Sequence, residues 1–431
     1  MRILQIIPGS GGTFYCGNCL RDSQYIDALR KLGHDVVVLP MYLQLFENKQ
    51  NSKDIPVFYG AISIYLKQLM PIFRHAPAWF DRMLNSKPML KLAAGMAGST
   101  DAKGLEEMTI SMLKGEHGQQ NEELSRMIEW IRDHYQPDVI HLSNALLSGL
   151  APRVQRELGI PVVCSLQDED VWVDIMKPRF REEAWQLMRE NGEFIDGFIG
   201  VSQFFSGFLQ DRLAIPDRKL GTIHLGVEPS DYEYIKTENR PLNIGYLSRL
   251  CQENGLDILV EAFILLKKKA GFEQVKLILT GGSTGADKRF LASIRKRIRD
   301  AGVIDEVEFH PDFENDGRME FLRNIALLSV PVRKGEAFGV YLLEALASGI
   351  PVVQPALGAF PEITEISGGG ITYSPNNPEA LANALAALLA DPDQLHDRSR
   401  RARAGVERHF NINTQADKLV EFYQRINKTD Q

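Results

Sequence analysis

Short apolar runs alternate with longer amphipathic runs along almost the whole chain. The apolar runs lie at residues 3–8, 36–40, 139–141, 162–166, 198–201 and 222–225, and then at 242–246, 276–280, 307–310, 327–331, 352–354 and 370–373. Amphipathic patterns of helical period lie at 20–32, 124–134, 183–191, 205–213, 255–269, 287–301, 318–324, 340–348 and 379–389. Continuous apolar strands that alternate with helices predict parallel sheets covered by helices on both faces.

The alternation occurs twice, which predicts two doubly wound, Rossmann-like α/β domains. It breaks at 226–240, where charged and turn residues replace the apolar periodicity. We therefore expect a first domain at 1–225, a second at 226–410 and a final helix within 411–431, which Thr414 can cap. Ligands of such folds bind at the carboxyl ends of the strands, so the default site is the cleft between the domains.

A stretch from about 46 to 120 interrupts this rhythm between the second and third strands. Its middle, about residues 62–95, mixes aromatic and aliphatic residues with Lys67, Arg74, Arg82, Lys87 and Lys91, against Asp81 alone. A basic, aromatic helical stretch can lie on an anionic membrane or form a pocket for a substrate. A helical subdomain buried on the first domain fits the same composition, and the sequence leaves both interpretations open.

The charge balance argues against a nucleic-acid-binding protein. The 431 residues carry 49 basic and 56 acidic side chains, a formal net charge of -7, without a basic stripe. Met1 leads into an apolar strand that Pro8 breaks, unlike a signal peptide, and no apolar run reaches the roughly 18 residues typical of a transmembrane helix. We expect a cytoplasmic protein, with peripheral contact to the inner membrane face through residues 62–95 left open.

The four cysteines are typical of a reduced chain. Cys16 and Cys19 form a C-G-N-C, a spacing that redox motifs and half-sites for zinc share, whereas Cys164 and Cys251 stand alone. No second CxxC or pair of histidines completes a tetrahedral set. Packing at the start of the first helix is therefore the favoured interpretation of Cys16 and Cys19, and we predict no metal site.

The segment 335–353, GEAFGVYLLEALASGIPVV, carries the strongest local signal. It follows a predicted strand and opens a helix near Val340, where the backbone N–H groups of Gly339, Val340 and Tyr341 lack helical partners. Such a helix start binds a phosphate without a metal, each contact contributing about 0.3–2 kcal/mol. Glu344, about one turn into the helix among apolar neighbours, can accept hydrogen bonds from a ribose diol.

The E-x7-E pair of Glu336 and Glu344, followed by A-S-G-I-P-V-V, resembles the donor-site signature of the family-4 retaining glycosyltransferases. Further matches run along nearly the whole chain: 8–12 resemble the family's glycine loop, 32–36 its entry to the second strand, 358–362 its G-x-x-P-E turn, and 411–431 its last helix, which crosses back to the first domain. The resemblance implies a GT-B fold, in which two Rossmann-like domains face across a cleft, and transfer of a sugar from a nucleotide-diphosphate donor.

The resemblance also implies a role for individual residues. Glu344 would bind the donor ribose, Glu336 would hold a hydroxyl of the transferred sugar, and Arg249 would bind the leaving diphosphate. The other implied donor contacts are the backbone N–H groups of Phe338, Gly339, Val340 and Tyr341, the loop Gly11 and Gly12, Asn254, the turn Gly281 and Gly282, and Phe313 beside the base. With Gln167 of the first domain, Glu336 and Arg249 form the implied catalytic set.

In retaining enzymes of this fold, the leaving phosphate assists deprotonation of the acceptor on the same face of the sugar. Catalysis is then mostly positioning and electrostatic stabilisation of the departing diphosphate. The implied reaction needs no metal and no cofactor besides a donor that is UDP- or GDP-linked.

Two positions depart from the family's pattern. Asn254 stands where a lysine usually precedes Gly255, which removes a charged phosphate contact worth about 1.5–3 kcal/mol. Gln167 stands where a histidine usually follows the fourth strand, and it can hydrogen-bond a sugar hydroxyl but cannot titrate. The departures indicate either a subgroup with altered details or a weakened enzyme.

Several alternatives stay open. His141 is interpreted as structural rather than catalytic, and the acidic residues 168–170 as acceptor contacts or cleft structure rather than a metal site. The leading function is sugar transfer to a carbohydrate or lipid-linked acceptor. The runner-up is a non-catalytic nucleotide-sugar-binding protein, and a sugar-nucleotide epimerase of the same fold is a further alternative. G-S-G-G at 9–12 is out of register for a dinucleotide-binding G-x-G-x-x-G.

Overall fold

The computed structural model describes residues 1–8, 17–41, 105–313 and 315–429. Gly11, Gly12, Cys16 and most of the predicted insertion, including residues 62–95, lie outside the described residues. The chain divides into two compact units. Among the described residues, the first contains 1–8, the chain from Tyr25 to Ile223 and the chain from Ala416 onward, and the second contains 17–24 and the chain from His224 to Gln415.

The strands described in the first unit form one parallel sheet. They are β1 Arg2–Ile7, β2 Asp35–Pro40, β3 Val139–Leu142, β4 Val162–Leu166, β5 Gly197–Gly200 and β6 Leu220–Thr222, in the order β2-β1-β3-β4-β5-β6. Helices cover both faces, so the central strands are apolar throughout: Ile3, Ile140 and Val163 are all completely buried. The connection direction reverses between β1 and β3, which is a topological switch point.

The helices described between these strands are α1 Gly17–Lys31, α2 Glu106–Leu113, α3 Asn121–Trp130, α4 Ala151–Leu158, α5 Glu169–Val173, α6 Pro178–Asn191 and α7 Gln203–Leu213. The amphipathic patterns predict α1, α3, α6 and α7, and they miss the short helices α2, α4 and α5. Helix α7 shows why such a segment starts and stops where it does. Ser202 caps it by accepting the Phe205 N–H over 3.1 Å, and Ala214 ends it in the left-handed conformation.

The second unit repeats this design. Its sheet contains β7 Ile244–Leu247, β8 Leu277–Thr280, β9 Val307–Phe309, β10 Leu327–Leu328, β11 Val352–Pro355 and β12 Gly370–Tyr373, in the order β12-β11-β10-β7-β8-β9 with parallel pairing. The switch point lies between β7 and β10, so the loops that follow these two strands border the expected ligand site. The predicted α/β architecture of two doubly wound sheets is confirmed.

The helices that follow these strands are α8 Leu256–Lys267, α9 Lys288–Asp300, α10 Asn315–Arg323, α11 Val340–Ala347, α12 Phe360–Ser367, α13 Pro378–Leu389, α14 Pro392–His409 and α15 Ile412–Thr429. Within the described ranges, none of the helices is both long and apolar enough to span a membrane. The sequence pattern misses α14, because small residues dominate its buried face. A Cβ at Gly405 would lie 2.3 Å from the Ser367 carbonyl oxygen, so α14 packs directly on the end of α12.

Two sequence expectations about element ends are wrong. The sixth strand is expected at 222–225 but runs from Leu220 to Thr222, and the buried apolar residues Ile223 and Leu225 lie in the chain that leaves the sheet. Helix α15 begins at Ile412, so Thr414 lies inside it and cannot cap it. Asn411 caps the helix instead, since its side-chain oxygen accepts the Asn413 N–H over 2.9 Å.

Helix α15 is fastened to the first sheet from Ala416 onward. Phe422 lies against Gly197 and Gly221, where a Cβ at either glycine would come within 2.6 Å of its ring. The Tyr423 hydroxyl lies 2.5 Å from Nδ1 of His141 on β3, and Nε2 of His141 lies 2.8 Å from Oγ of Ser165 on β4. These bonds use both ring nitrogens, which supports the structural interpretation of His141.

One glycine sets how closely the loops after β7 and β10 approach each other. Gly255, which precedes α8, has a φ of +72°, and a Cβ on it would lie 1.8 Å from the carbonyl oxygen of Pro331. A side chain at this position would therefore meet both backbone strain and a main-chain overlap. Only glycine allows the loop after β7 to lie directly on the segment after β10.

We expect Gly255→Ala to lower the free energy of unfolding by about 2–4 kcal/mol, because left-handed strain and overpacking add together. Gly302→Ala is the matched control, since Gly302 has the same φ of +72° and a Cβ there would meet no other atom within 4 Å. That variant should lose only about 1–2 kcal/mol. Urea unfolding of both variants measures the difference, and equal losses would contradict the close approach.

Candidate functional site

The loop that leads into α11 presents backbone donors next to the switch point. Gly339 adopts φ 91° and ψ 82° and immediately precedes the helix, and its carbonyl accepts the Leu342 N–H over 3.0 Å. Phe338, Val340 and Tyr341 are buried, so the loop is held by its own side chains. The first N–H groups of a helix have no partners within the helix, and the helix dipole adds partial positive charge, so this end of α11 suits an anion.

Glu344 is buried in α11 and compensated by two partners. Its side chain is 1% exposed, its Oε1 lies 3.0 Å from Nε of Arg318 on α10, and the Tyr232 hydroxyl donates to the same oxygen over 3.1 Å. Burial, together with the nearby Glu344 carboxylate, raises the pKa of Tyr232 well above its usual value. Tyr232 therefore stays a hydrogen-bond donor and Glu344 has a fixed orientation.

The segment that carries Tyr232 is held by two arginines. Nη1 of Arg403 donates to the carbonyls of Tyr232 and Ala347 over 2.9 and 2.8 Å. Arg240 is 6% exposed, and its Nη2 donates to the Ser348 carbonyl over 2.6 Å. Burial lowers the pKa of Arg240 to about 10. The sequence pattern treats 226–240 as a break between domains, and it gives no sign that this segment supplies a partner of Glu344.

Glu336 is held from both sides. The Tyr341 hydroxyl donates to its Oε2 over 3.2 Å, so the second residue of α11 orients the carboxylate that precedes the helix. Its own carbonyl accepts the Ala359 N–H over 3.0 Å. Gly358, with a φ of +59°, packs on this backbone, and a Cβ there would lie 2.4 Å from the Glu336 nitrogen. The G-x-x-P-E turn thus supports Glu336.

The last residue of that turn, Glu362, pairs with a histidine that sequence reasoning missed. Nε2 of His224 lies 2.6 Å from Oε1 of Glu362, and both side chains are less than one-fifth exposed. The His224 ring also packs near Phe338 and Phe410, at centroid distances of 6.1 and 5.5 Å. His224 therefore connects the turn to the aromatic residue just before Gly339. Its position 138 residues from Glu362 left no local signal.

Arg249 lies in the loop after β7 and forms a bidentate ion pair. Its Nε and Nη2 donate to Oδ2 and Oδ1 of Asp287 over 3.0 and 2.9 Å, and Nη2 also donates to the Thr284 hydroxyl over 3.1 Å. Burial alone would lower the pKa of Arg249, but the hydrogen bonds to Asp287 raise it, so the guanidinium is charged. The side chain is 31% exposed, which leaves it within reach of a ligand.

The other predicted donor residues of this region lie in the chain that follows β7, β8 and β9. Asn254 donates from Nδ2 to the Ser248 hydroxyl over 2.8 Å, so it braces the loop rather than replacing a cation. Gly281, at φ +124°, and Gly282, at φ +72°, form the turn after β8. Phe313 is half-buried in the chain after β9.

Backbone contacts join this region to the helix start. The Arg333 N–H donates to the Glu253 carbonyl over 3.1 Å, and its Nε donates to the Gln252 carbonyl over 3.0 Å. The loop after β7 therefore lies beside the segment that leads to Glu336 and Gly339. The second unit brings the predicted donor residues around one end of its sheet.

Gln167 lies in the first unit, at the carboxyl end of β4, and is 5% exposed. Its Nε2 donates to the Ser143 carbonyl over 2.7 Å. Its backbone N–H donates to Oε2 of Glu169 over 2.7 Å, while Oε1 of Glu169 accepts the Ala145 N–H over 2.9 Å. Glu169 thus ties the chain after β3 to the chain after β4.

Burial raises the pKa of Glu169 to about 8, although the backbone N–H groups of Ala145 and Gln167 oppose the shift. Asp168 has a φ of 56°, and burial raises the pKa of Asp170. Within the part of the chain that the structure describes, no cluster of three or more His, Cys, Asp or Glu side chains is arranged to hold a metal ion.

Two family models match the chain. One, described as Glycosyl transferases group 1, covers residues 233–405, and the other, described as Glycosyltransferase Family 4, covers residues 112–231. Over 316 residues the chain is 26% identical to the GDP-mannose-dependent alpha-(1-6)-phosphatidylinositol monomannoside mannosyltransferase of Mycobacterium tuberculosis, covering 69% of this chain and 78% of that protein.

A second relative is WcaL of Escherichia coli strain K12, which is assigned to colanic acid biosynthesis as a glycosyltransferase. It is 27% identical over 285 residues, which cover 64% of this chain and 68% of that protein. Among solved structures, the Anabaena protein Alr3699/HepE in complex with UDP superposes with a TM-score of 0.68 at 17% identity, covering 99% of this chain and 100% of that one. The structural match shows the fold. With one model matched in each half of the sequence and the E-x7-E signature in place, the chain belongs to the family-4 glycosyltransferases and has their GT-B fold.

Proposed function

We propose that this glycosyltransferase is a retaining, metal-independent enzyme that moves a sugar from a UDP- or GDP-linked donor to a carbohydrate or lipid-linked acceptor. The observation that carries the proposal is the arrangement around α11. One helix start offers backbone N–H groups at Gly339, one oriented carboxylate precedes it at Glu336, and one buried carboxylate follows at Glu344.

The donor binds mainly to the second unit in this proposal. Glu344 accepts hydrogen bonds from the ribose, and the N–H groups of residues 338–341 contact the phosphates and the sugar. Glu336 holds a hydroxyl of the transferred sugar. The relatives support the two candidate bases, since the mycobacterial protein is named as GDP-mannose-dependent and the Anabaena protein was crystallised with UDP.

Arg249 stabilises the leaving group. As the bond between the anomeric carbon and the donor phosphate oxygen breaks, negative charge collects on the diphosphate, and a guanidinium stabilises that charge. The acceptor oxygen forms the new bond on the same face of the sugar, and its proton passes to the departing phosphate. Because Arg249 and the α11 start supply positive charge, this route needs neither a metal nor a further cofactor.

Gln167 is the proposed contribution of the first unit. Its amide nitrogen is committed to the Ser143 carbonyl, so the amide is oriented, and its oxygen accepts a hydrogen bond from a sugar hydroxyl. Glu169 positions Gln167 through the backbone bond described above.

The acceptor and the location rest on the relatives and the sequence. The name of the mycobacterial relative specifies phosphatidylinositol monomannoside, and WcaL is assigned to colanic acid biosynthesis. We propose that residues 62–95 contact the acceptor or a membrane surface. Cys164 and Cys251 are buried thiols, in keeping with a reducing, cytoplasmic compartment.

A thermal-shift screen against UDP, GDP and ADP should reveal the donor base. A nucleotide present at a hundredfold excess over its Kd stabilises the folded protein by about 2.7 kcal/mol. Glu344→Gln should abolish that ligand-induced shift, and it should also lower the unliganded Tm because Arg318 loses its buried partner. Glu365→Gln, on the exposed surface of α12, should keep the shift. Stabilisation of Glu344→Gln equal to that of the wild type would refute the ribose assignment.

Glu336→Ala should separate turnover from binding. We expect donor hydrolysis and transfer to fall by about a hundredfold, since a misplaced sugar loses its reactive geometry, while nucleotide affinity stays within about twofold. Tyr341→Phe removes only the hydrogen bond that orients Glu336, so it should slow turnover by about two- to tenfold. Assays of released sugar and calorimetry with the nucleotide measure the two effects. Binding without turnover in the wild-type protein would support the non-catalytic alternative.

The stability of the first unit should depend on pH through Glu169. Its pKa of about 8 in the folded state exceeds the ordinary value of 4.5, so its contribution is fully present below pH 4.5 and is lost as the pH rises through 8. Between pH 5 and 9, the wild type should lose about 2–5 kcal/mol more than Glu169→Gln, which cannot titrate. Urea unfolding at stepwise pH measures both slopes, and identical slopes would refute the shifted carboxyl.

A further inference from the structure

Asp287 has no role in the proposed reaction so far, although its carboxylate pairs with Arg249. We infer that Asp287 is the positioning residue for Arg249: it fixes the guanidinium in the orientation that binds the donor's diphosphate. This inference rests on the proposed function, in which Arg249 binds that diphosphate.

The loops that carry the two residues are fixed by their main chains. We refer to residues 248–255 as the β7 loop and to residues 281–287 as the β8 loop. A Cβ at Gly281 would lie 2.1 Å from the Ser248 carbonyl oxygen, so the two loops are in backbone contact. The Leu250 N–H also donates to the Gly282 carbonyl over 2.9 Å. The backbone position from which the Arg249 side chain extends is therefore fixed by main-chain contacts alone.

The Asp287 carboxylate is itself immobilised. It is 7% exposed, and its Oδ2 accepts both the N–H and the hydroxyl of Thr284 over 2.7 Å. This reciprocal capping box closes the β8 loop ahead of α9. Burial alone would raise the pKa of Asp287, but the hydrogen bonds from Arg249 and Thr284 hold it below the usual value. Asp287 is therefore an ionised, rigid acceptor.

A bidentate pair fixes the plane as well as the position of a guanidinium. Asp287 engages the edge formed by Nε and Nη2, and the planar group carries further N–H donors on Nη1. Because Arg249 is 31% exposed, a diphosphate can approach a guanidinium whose orientation is already set. Without Asp287, the long side chain would have to be ordered by the ligand, and part of the binding free energy would be lost.

Charge and geometry predict opposite results for Asp287→Asn. The substitution removes a negative charge next to an anion site, so electrostatics alone predicts tighter diphosphate binding. Positioning predicts weaker binding, because an amide holds the guanidinium through one oxygen instead of two. The sign of the change therefore decides between a positioning carboxylate and one that merely competes with the ligand for Arg249.

The experiment measures the Kd values of UDP and UMP, and of GDP and GMP, by calorimetry for the wild type and for Asp287→Asn. We expect the Kd of the diphosphate to rise by about ten- to hundredfold in the variant and that of the monophosphate to change by less than about twofold. Adding Asp287→Asn to Arg249→Gln should then change nothing further, because the effect passes through the guanidinium.

Glu261→Gln is the matched control. Glu261 accepts a bidentate bond from Arg297 on the neighbouring helix, away from the β7 and β8 loops, so its loss should leave every Kd unchanged. If thermal unfolding shows that Asp287→Asn is not folded, Asp287→Glu replaces it. That variant keeps the charge and shifts the carboxylate, so charge alone predicts an unchanged diphosphate Kd and positioning predicts a higher one. An unchanged or lower diphosphate Kd in the folded variant overturns this inference alone. A wild-type protein that binds none of the four nucleotides overturns the proposed function and this inference with it.

Discussion

The arrangement of the second unit around α11 depends on compensating one buried carboxylate, that of Glu344. Glu344 lies 1% exposed in an apolar helix, where an ionised carboxylate is unstable unless it is paired and hydrogen-bonded. Arg318 supplies the charge and Tyr232 the hydrogen bond. Tyr232 is placed to do so because Arg240, which is buried, and Arg403, which is half-buried, fasten its segment to the ends of the helices. The irregular stretch before β7 is thus structured in order to support Glu344.

Close backbone contacts give this end of the sheet its shape. At Gly255 and Gly281 the loops after β7 and β8 touch other main chain at distances that no side chain would permit, and at Gly358 the same holds beneath Glu336. Main-chain contact leaves few rotamers to order when a ligand arrives. In phosphoryl and glycosyl chemistry, where little covalent work falls to the protein, such rigidity is the main source of rate.

Local signals in the sequence were sufficient to predict the two sheets and the start of α11. Periodicity predicted both doubly wound units, and the sequence indicates Glu336, Gly339 and Glu344 as site candidates because all three lie within nine residues of chain. The partners of Glu344 and Arg249 were not predicted. Tyr232 is 112 residues from Glu344, and Asp287 is 38 from Arg249, so each is an ordinary polar residue until the fold brings it to its partner. Helix α14 was missed for a related reason, since its buried face is lined by small residues.

The same pairing changes how an anionic donor is bound. Arg249 faces Asp287 and Arg318 faces Glu344, so in the proposed donor site these two arginines are offset by two carboxylates and add no net charge that would attract a diphosphate. The chain as a whole is also negative. Attraction must then come from oriented dipoles and from guanidinium edges held in place, which act at short range and are screened little by salt. In such a site, replacing the family's usual lysine by Asn254 weakens donor binding less than the lost charge suggests, because Asn254 braces the loop that carries Arg249.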